Sequence, residues 1–437
     1  MNYHITSLPK SEIEIKIELT PEEVALATQK ALEEMTNSVD IDGFRKGKAP
    51  QELVRKKVGE NELSRRTLLY AVQDSYPQAL KELQDRNNPV AEPVEPIGPP
   101  KIQVTKFVEG GALEYTARLS ILPALTLPDY KQAAKAVLAN KKNPEVSEKE
   151  VGDSIAWLKK SRAREITVTR AVQESDRVEV DFEARVAGVA LENGKSQNHP
   201  IVVGEGRFLP GFEKELVGMK EGEEKTFSLV VPADYAEKEL SGKTVDFHVV
   251  VKLVQERIIP EADDAFAAAL GNFKNIDELK TSIRQGILTE KEEKERERTR
   301  IAIIEAVAEK TKGELPTLLI ERELDKMLAE LKANIGRMKL DWTAYLANIK
   351  TGEEELKKGW AKDAERRVKI ALTLREIAKV EKIEPDETEL QEAASKTLAR
   401  MDIGEEELKK IDRGVFLEYN TTIARNEKVF KFLEGIV

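Results

Sequence analysis

The sequence predicts an α+β chain of several domains: a small sheet with helices, then a compact antiparallel β domain, then an all-helical region. Three observations carry this. A length of 437 residues exceeds what one ordinary hydrophobic core serves and points to roughly two to four domains. The periodicity changes twice, near residues 122–166 and again at Pro260. Hydrophobic residues make up 40% and charged residues 34%, as expected of a folded, highly charged chain rather than a disordered one.

The first strand read from the sequence is Glu12 to Leu19, where charged and apolar residues alternate and all aliphatic side chains fall on one face. Thr20-Pro21-Glu22-Glu23 then supplies a cap, a proline suited to a first helical turn and a carboxylate three residues past the cap. A helix starts at Pro21 and runs to Asn37 and Ser38, with Val24, Leu26, Ala27, Ala31, Leu32 and Met35 at helical spacing. The loop Gly43-Phe44-Arg45-Lys46-Gly47-Lys48-Ala49-Pro50 separates it from a second helical stretch, Gln51 to about Arg86, interrupted near Gly59. Strands at Lys101 to Phe107 and Ala112 to Leu122 close a first domain over residues 1–122.

Residues 123–164 form a connector with a short helical pattern and an amphipathic helix from Val146 to Arg164. Residues 165–256 read as short strands at Arg177 to Val186, Pro200 to Val203, Lys225 to Val231 and Thr244 to Val254. From residue 257 the pattern is helical. Pro316 opens a helix with the stripe Ile320, Leu324, Met327, Leu328, Leu331, Ile335. Thr289 to Arg300 interleaves acids and bases that can pair four residues apart, the pattern of a solvated strut.

Composition excludes several chemistries. Cysteine is absent, so disulfides, thiolate nucleophiles and cysteine zinc sites are ruled out. His4, His199 and His248 stand too far apart for metal-ligand spacing and read as surface or strand histidines, so neither a metal nor a cofactor is expected. The N-terminal residues lack the basic start and apolar run of a secretory signal, and no apolar run approaches the roughly 20 residues that span a bilayer. A cytoplasmic protein without membrane contact is expected. Its net charge of -10 repels nucleic acid, DNA included, so any contact with RNA needs a local basic patch.

One such patch is the 43–50 loop. Its glycines let the backbone turn, and Phe44, Arg45, Lys46 and Lys48 cannot all point inward from so short a loop. Cations facing solvent can pair with RNA phosphates and an exposed aromatic can pack on a base or an apolar surface. By chemistry alone a plain helix-helix turn, with Phe44 stapling the helices and the cations solvated, is the better fit, because short basic loops are common. The stretch matches, without departure, the signature G-F-R-x-G-x-x-P of the trigger factor family, which the chain resembles. That resemblance implies that Phe44, Arg45 and Lys46 dock onto protein and RNA at the exit of the ribosomal peptide tunnel.

In the middle domain, Val178-Glu179-Val180-Asp181-Phe182, Val203-Gly204-Glu205-Gly206-Arg207-Phe208-Leu209-Pro210-Gly211-Phe212, Gly218-Met219-Lys220-Glu221-Gly222-Glu223 and Pro232-Ala233-Asp234-Tyr235 succeed one another. Together they resemble a prolyl isomerase domain of the FK506-binding type, an antiparallel β fold with a short helix. The glycine spacing, interrupted by Pro210, does not fit a dinucleotide loop. Isomerisation needs neither nucleophile nor metal, because its barrier of roughly 18–20 kcal/mol comes from amide resonance. A dry aromatic pocket that fits the twisted amide better than the planar one lowers it. The resemblance places Phe182, Leu191, Phe208, Leu209, Phe212, Tyr235 and Phe247 in that pocket, with Phe208 and Leu209 also offering backbone groups. Any one of them taken alone reads as core. Leu191 stands where the family usually has an aromatic, Glu192 where it often has aspartate, and Ala236 and Glu237 replace a second tyrosine, which implies weaker catalysis than in small single-domain members.

The helical third carries no catalytic cluster. Pro316-Thr317-Leu318-Leu319-Ile320-Glu321-Arg322-Glu323 resembles the P-x-x-L-I-x-x-E stretch of trigger factors, whose helical domain has projecting arms that cradle unfolded chains. Narrow stripes such as Ile276, Leu279, Ile283 and Ile287 are expected to leave shallow apolar patches open. The expected function is a ribosome-associated chaperone that shields nascent chains and isomerises prolyl bonds, with the ribosome and unfolded polypeptides as partners. A homodimer away from the ribosome is compatible with this. The alternatives are a free cytosolic prolyl isomerase with a helical dimerisation domain, which has no need for the basic loop, and an exported chaperone-isomerase, which the absent signal pattern disfavours.

Overall fold

The structure is a computed structural model and describes residues 1–45, 47–84, 95–108, 110–235, 240–401 and 411–436. By packing the chain divides into two units, Met1–Lys141 with Glu297–Val437, and Lys142–Arg296.

The first unit opens with β1 (Asn2–Leu8) and β2 (Glu12–Leu19), followed by α1 (Pro21–Ser38), α2 (Gln51–Val58) and α3 (Glu60–Gln84), then β3 (Lys101–Phe107) and β4 (Leu113–Ser120). The antiparallel sheet has the order β1-β2-β4-β3. Alternation in β2 does what its spacing dictates: Ile13, Ile15, Ile17 and Leu19 are buried and stand opposite Leu119, Ala117, Tyr115 and Leu113. Val24 and Ala27 of α1 and Ala71, Ala79 and Leu83 of α3 cover that face, and the buried Tyr115 hydroxyl lies 2.6 Å from Ser75 Oγ. The capping box at Thr20 and Glu23 forms as expected. Leu26 does not join the core, being 64% exposed, because the buried arc of α1 runs through Val24, Ala27, Ala31 and Met35. β1 was not predicted, since its apolar residues Tyr3, Ile5 and Leu8 alternate too weakly to mark a strand before β2 supplies the partner.

Next along the chain, α4 (Tyr130–Leu138) belongs to the same unit. The Lys142–Arg296 unit contains α5 (Glu148–Ser161), β5 (Arg164–Thr167), β6 (Arg177–Val186), β7 (Val189–Val202), α6 (Phe212–Leu216), β8 (Glu224–Val230), β9 (Thr244–Ile258), α7 (Asp264–Leu270) and the start of α8 (Ile276–Lys310). Its five-stranded antiparallel sheet runs β5-β9-β6-β7, with β8 also on β9. β7 begins far earlier than the sequence shows, because the short apolar run Val189-Ala190-Leu191 gives way to Glu192-Asn193-Gly194-Lys195 without alternation, and pairing with β6 makes the stretch a strand. β5 is not among the strands expected from the sequence, and its first residue, Arg164, falls at the end of the expected helix; its four residues are all exposed, and pairing with Gln255 to Ile258 makes them a strand. Valines 178, 180, 249, 251 and 254 form the core with Phe212 and Leu216.

The remaining helices are α9 (Thr317–Arg337), α10 (Trp342–Ile349), α11 (Glu353–Val380), α12 (Glu387–Met401) and α13 (Arg413–Glu434). Ile303, Ile304 and Val307 of α8 pack with Tyr130 and Ala134 of α4, Leu374 and Ile377 of α11, and Val429 and Leu433 of α13. Along the α9 stripe Leu328 and Ile335 are buried and the rest half-buried. The stripe at the start of α8 is not an open patch: Leu279 is buried, and Ile276 and Ile283 pack with it against Phe266, Ala267 and Leu158. The charged stretch of α8 does more than pair along itself. Lys294 meets Glu290 at 2.6 Å, but Lys291 reaches Glu150 of α5 at 2.6 Å and Arg300 grips Glu427 and Glu434 of α13 at 2.8 and 2.6 Å.

Candidate functional site

Two regions assemble the residues that the sequence singled out. In the loop between α1 and α2, the Phe44 N–H donates to Ile41 O at 3.1 Å, that of Lys48 to Arg45 O at 2.9 Å, and that of Gly47 to Thr36 O at 3.1 Å. The turn is thereby laced to the last turn of α1. Gly47 sits at φ +80°, and a Cβ there would lie 2.7 Å from Asn37 Oδ1, so this position favours glycine on both counts. Ala49 is buried with Met35, Val54 and Leu63 and anchors the exit of the loop. On the opposite side Phe44 is 44% exposed, and Arg45 and Lys48 are exposed. Phe44 therefore does not staple the helices. Among the described residues neither Arg45 nor Lys48 has an ion-pair partner. Lys46 lies outside the described residues.

The second region lies in the Lys142–Arg296 unit. Even-numbered residues of β6 point into the core and place Phe182 there, while Phe247 comes from the adjacent β9. Gly211, at φ +95°, starts α6 and turns Phe212 inward. The rings converge: Phe182 lies 5.2 Å from Phe208, 6.0 Å from Phe212 and 6.4 Å from Phe247, and Phe208 lies 4.3 Å from Phe212. Mostly edge-to-face packing of this kind adds about 0.5–1.5 kcal/mol per pair beyond burial. Phe212, Phe247 and Leu209 are buried and make a floor, whereas Phe182, Leu191, Phe208 and Tyr235 are half-buried and make a rim. All seven residues meet in one cluster. Of their side chains only Tyr235 titrates, so the assembly offers apolar surface rather than acid-base chemistry. Ala236 and Glu237, and the side chain of Glu192, lie outside what is described.

Three features escaped the sequence reading. Glu213, the second residue of α6, is buried at 7% exposure, and its carboxylate accepts the N–H groups of Gly204 at 2.7 Å, Gly206 at 3.0 Å and Arg207 at 3.0 Å. It fixes the loop that presents Phe208 and Leu209. The glutamate directly after Pro210-Gly211-Phe212 was the available signal, and a carboxylate there reads as surface until the fold turns the loop over it. Phe227 adds a further ring, 5.4 Å from Phe212. His199 is not a plain strand histidine: its ring stands edge-on, 5.4 Å from Phe182 and 5.7 Å from Phe208.

Comparison with known proteins places this geometry. The family model described as bacterial trigger factor protein matches residues 1–158, and that of the bacterial trigger factor C-terminus matches residues 275–433. A trigger factor of Caldicellulosiruptor saccharolyticus is 30% identical over 410 residues, 94% of this chain and 91% of its own. The chain belongs to the trigger factor family. A trigger factor of Clostridium botulinum is similar at 31% identity, over 90% of this chain and 89% of its own. Between the two trigger factor matches, residues 168–253 match the FKBP-type peptidyl-prolyl cis-trans isomerase model, so this trigger factor carries an isomerase domain of that type. A solved structure described as "Promiscuous Substrate Recognition in Folding and Assembly Activities of the Trigger Factor Chaperone" shares the fold, with TM-score 0.55, 21% identity and full coverage of both chains. A free isomerase with a helical dimerisation domain is not favoured, because trigger factor sequence flanks the isomerase domain on both sides.

Proposed function

We propose that this trigger factor works in the cytoplasm at the ribosomal exit tunnel, docking through Phe44, Arg45 and Lys46, shielding nascent chains and isomerising their prolyl bonds. In this reading residues 1–122 bind the ribosome, 123–164 connect, 165–256 isomerise and 257–437 hold clients, with a homodimer as the form off the ribosome. The observation that carries it is the outward stance of Phe44 and Arg45 on a loop whose other side is anchored by Ala49 and Thr36. An acidic chain can meet an RNA-rich surface only through such a local tip, and within a Debye length of about 8–10 Å its cations outweigh the net field. Among the described residues no helix is long and apolar enough to cross a membrane.

For isomerisation, the prolyl ring of a client would rest on the rim of Phe182, Leu191, Phe208 and Tyr235 above the floor of Leu209, Phe212 and Phe247. Water stabilises the planar, dipolar amide more than the twisted one, so a site lined by rings lowers the barrier by excluding it. Backbone groups at Phe208 and Leu209, which follow the Gly204–Arg207 turn that Glu213 holds, would orient the peptide. Uncatalysed isomerisation takes tens of seconds while synthesis adds about 5–20 residues per second, so even modest acceleration matters near the ribosome.

Sedimentation with bacterial ribosomes in a salt series tests the docking reading. Binding through a few cations weakens as salt rises, and replacing Phe44, Arg45 and Lys46 together by alanine removes it. Co-sedimentation unchanged by the triple substitution refutes the assignment.

A further inference from the structure

We infer that His199 is a specificity-determining residue of the prolyl site: neutral, it completes the ring wall, and protonated, it favours peptides carrying a carboxylate next to the proline. The inference rests on the reading of Phe182 and Phe208 as substrate-facing. Pairing with β6 sets His199 opposite Val180, on the face where β6 places its core residues. Its half-buried ring meets Phe182 at 5.4 Å and Phe208 at 5.7 Å, both edge-on, so it extends the rim by one further ring. Ser196 Oγ lies 3.3 Å from Nδ1, and among the described residues Nε2 has no hydrogen-bond partner.

Histidine is the side chain whose charge ordinarily changes between about pH 5 and 8. A neutral imidazole packs on phenylalanine like any small aromatic, and the half-buried ring keeps access to solvent, so protonation adds a charge to the rim without expelling the ring. Charged groups on the elements around it are engaged elsewhere. On β6, Arg177, Glu179, Asp181, Glu183 and Arg185 occupy the odd positions, facing away from the core. Asp181 lies 3.9 Å from Lys252 and accepts the Asn198 N–H at 2.7 Å. On the loop bearing Phe208, Arg207 pairs with Glu205 at 2.9 Å, and Glu205 is held by Arg257 at 3.1 Å. Lys195 on β7 is exposed. No carboxylate among the described residues forms an ion pair with the His199 ring, which leaves that role to the substrate.

The test is kcat/KM for two short peptides that differ only in the residue before proline, leucine or glutamate, from about pH 5.5 to 8, where a peptide glutamate of pKa about 4.3 stays ionised. In the wild-type chain the glutamate-to-leucine ratio rises about threefold as pH falls, the scale of a partly exposed ion pair. In His199→Phe and His199→Gln it stays flat, and the glutamine variant covers any folding defect of the other. A flat wild-type ratio, or a rise that persists in the variants, while Phe208→Ala still slows both peptides, overturns the role of His199 and leaves the prolyl site standing. Phe208→Ala turning over both peptides like wild type overturns the site and the inference together.

Discussion

At the scale of single residues, burial separates the two phenylalanines that lie 4.3 Å apart on one loop and helix. Phe208 is half-buried, so Phe208→Ala removes rim surface and slows prolyl turnover at least about tenfold, equal to about 1.4 kcal/mol of transition-state binding, with little change in thermal unfolding. Phe212 has no exposure at all, so Phe212→Ala opens a cavity and lowers unfolding free energy by about 3–5 kcal/mol in a denaturant melt. Equal stability losses for both would mean that Phe208 is core and no rim exists. Glu213 makes a third case. Its carboxylate holds three N–H groups of the Gly204–Arg207 turn, and charge-assisted bonds of this kind contribute about 1.5–3 kcal/mol each, offset in part by the cost of burying the carboxylate. Glu213→Ala is expected to destabilise the isomerase domain by about 2–4 kcal/mol and to quicken amide exchange at Gly204, Gly206 and Arg207. Unaltered exchange at those three amides would show that the loop holds itself.

At the scale of elements, helices are joined by charges that the sequence presents as solvated. Lys291 of α8, with the Ser147 backbone N–H of the α5 cap, holds the Glu150 carboxyl well below its ordinary 4.5, down to about 2. A depressed carboxyl stabilises the fold above its unfolded value and loses that contribution as pH falls through the folded one. The window is therefore about pH 4.5 down to 2. Protection of the amides in the N-terminal turn of α5, taken relative to their intrinsic exchange at each pH, is expected to fall across that window, and in Glu150→Gln to be low already at neutral pH; a variant that keeps the wild-type acid profile would assign the effect elsewhere. Arg300 is the stronger joint. Bidentate contacts to Glu427 and Glu434, with the ring of Phe430 at 5.4 Å, hold its guanidinium firmly charged. Arg300→Ala leaves two facing carboxylates and is expected to cost about 2–4 kcal/mol in denaturant unfolding, partly recovered at low pH as they protonate. A loss that acid deepens would contradict this pairing.

At the scale of the whole molecule, the proposed docking loop and the proposed prolyl site belong to different places in the chain, so the two activities are expected to separate. Alanine at Phe44, Arg45 and Lys46 should abolish ribosome co-sedimentation and leave kcat/KM on a prolyl peptide within about twofold, whereas Phe208→Ala should do the reverse. If the triple variant loses turnover as well, the two sites are coupled. Much of this organisation was legible before any coordinates. Strong alternation fixed β2, the box at Thr20 and Glu23 fixed the start of α1, and Pro316 fixed the start of α9, because each signal lies within a few neighbouring residues. The glycines and Ala49 of the 43–50 loop likewise determined a turn that leaves Arg45 and Lys48 exposed. Where a residue's role depends on what lies across the fold, local pattern had no access to it. β1 and β5 became strands only by pairing, Leu26 faced out although its spacing faced in, and the opening stripe of α8 found Phe266 and Leu158 to cover it. His199 and Glu213 are polar and look like surface until β6 and the loop after β7 close around them. The amino-acid sequence alone determined the family and an isomerase domain of the FK506-binding type set between trigger factor segments, since these rest on short-range periodicity and motif. Tertiary structure decided which polar groups stand at the aromatic cluster, because only packing brings residues well apart in the chain within hydrogen-bond or ring-contact distance.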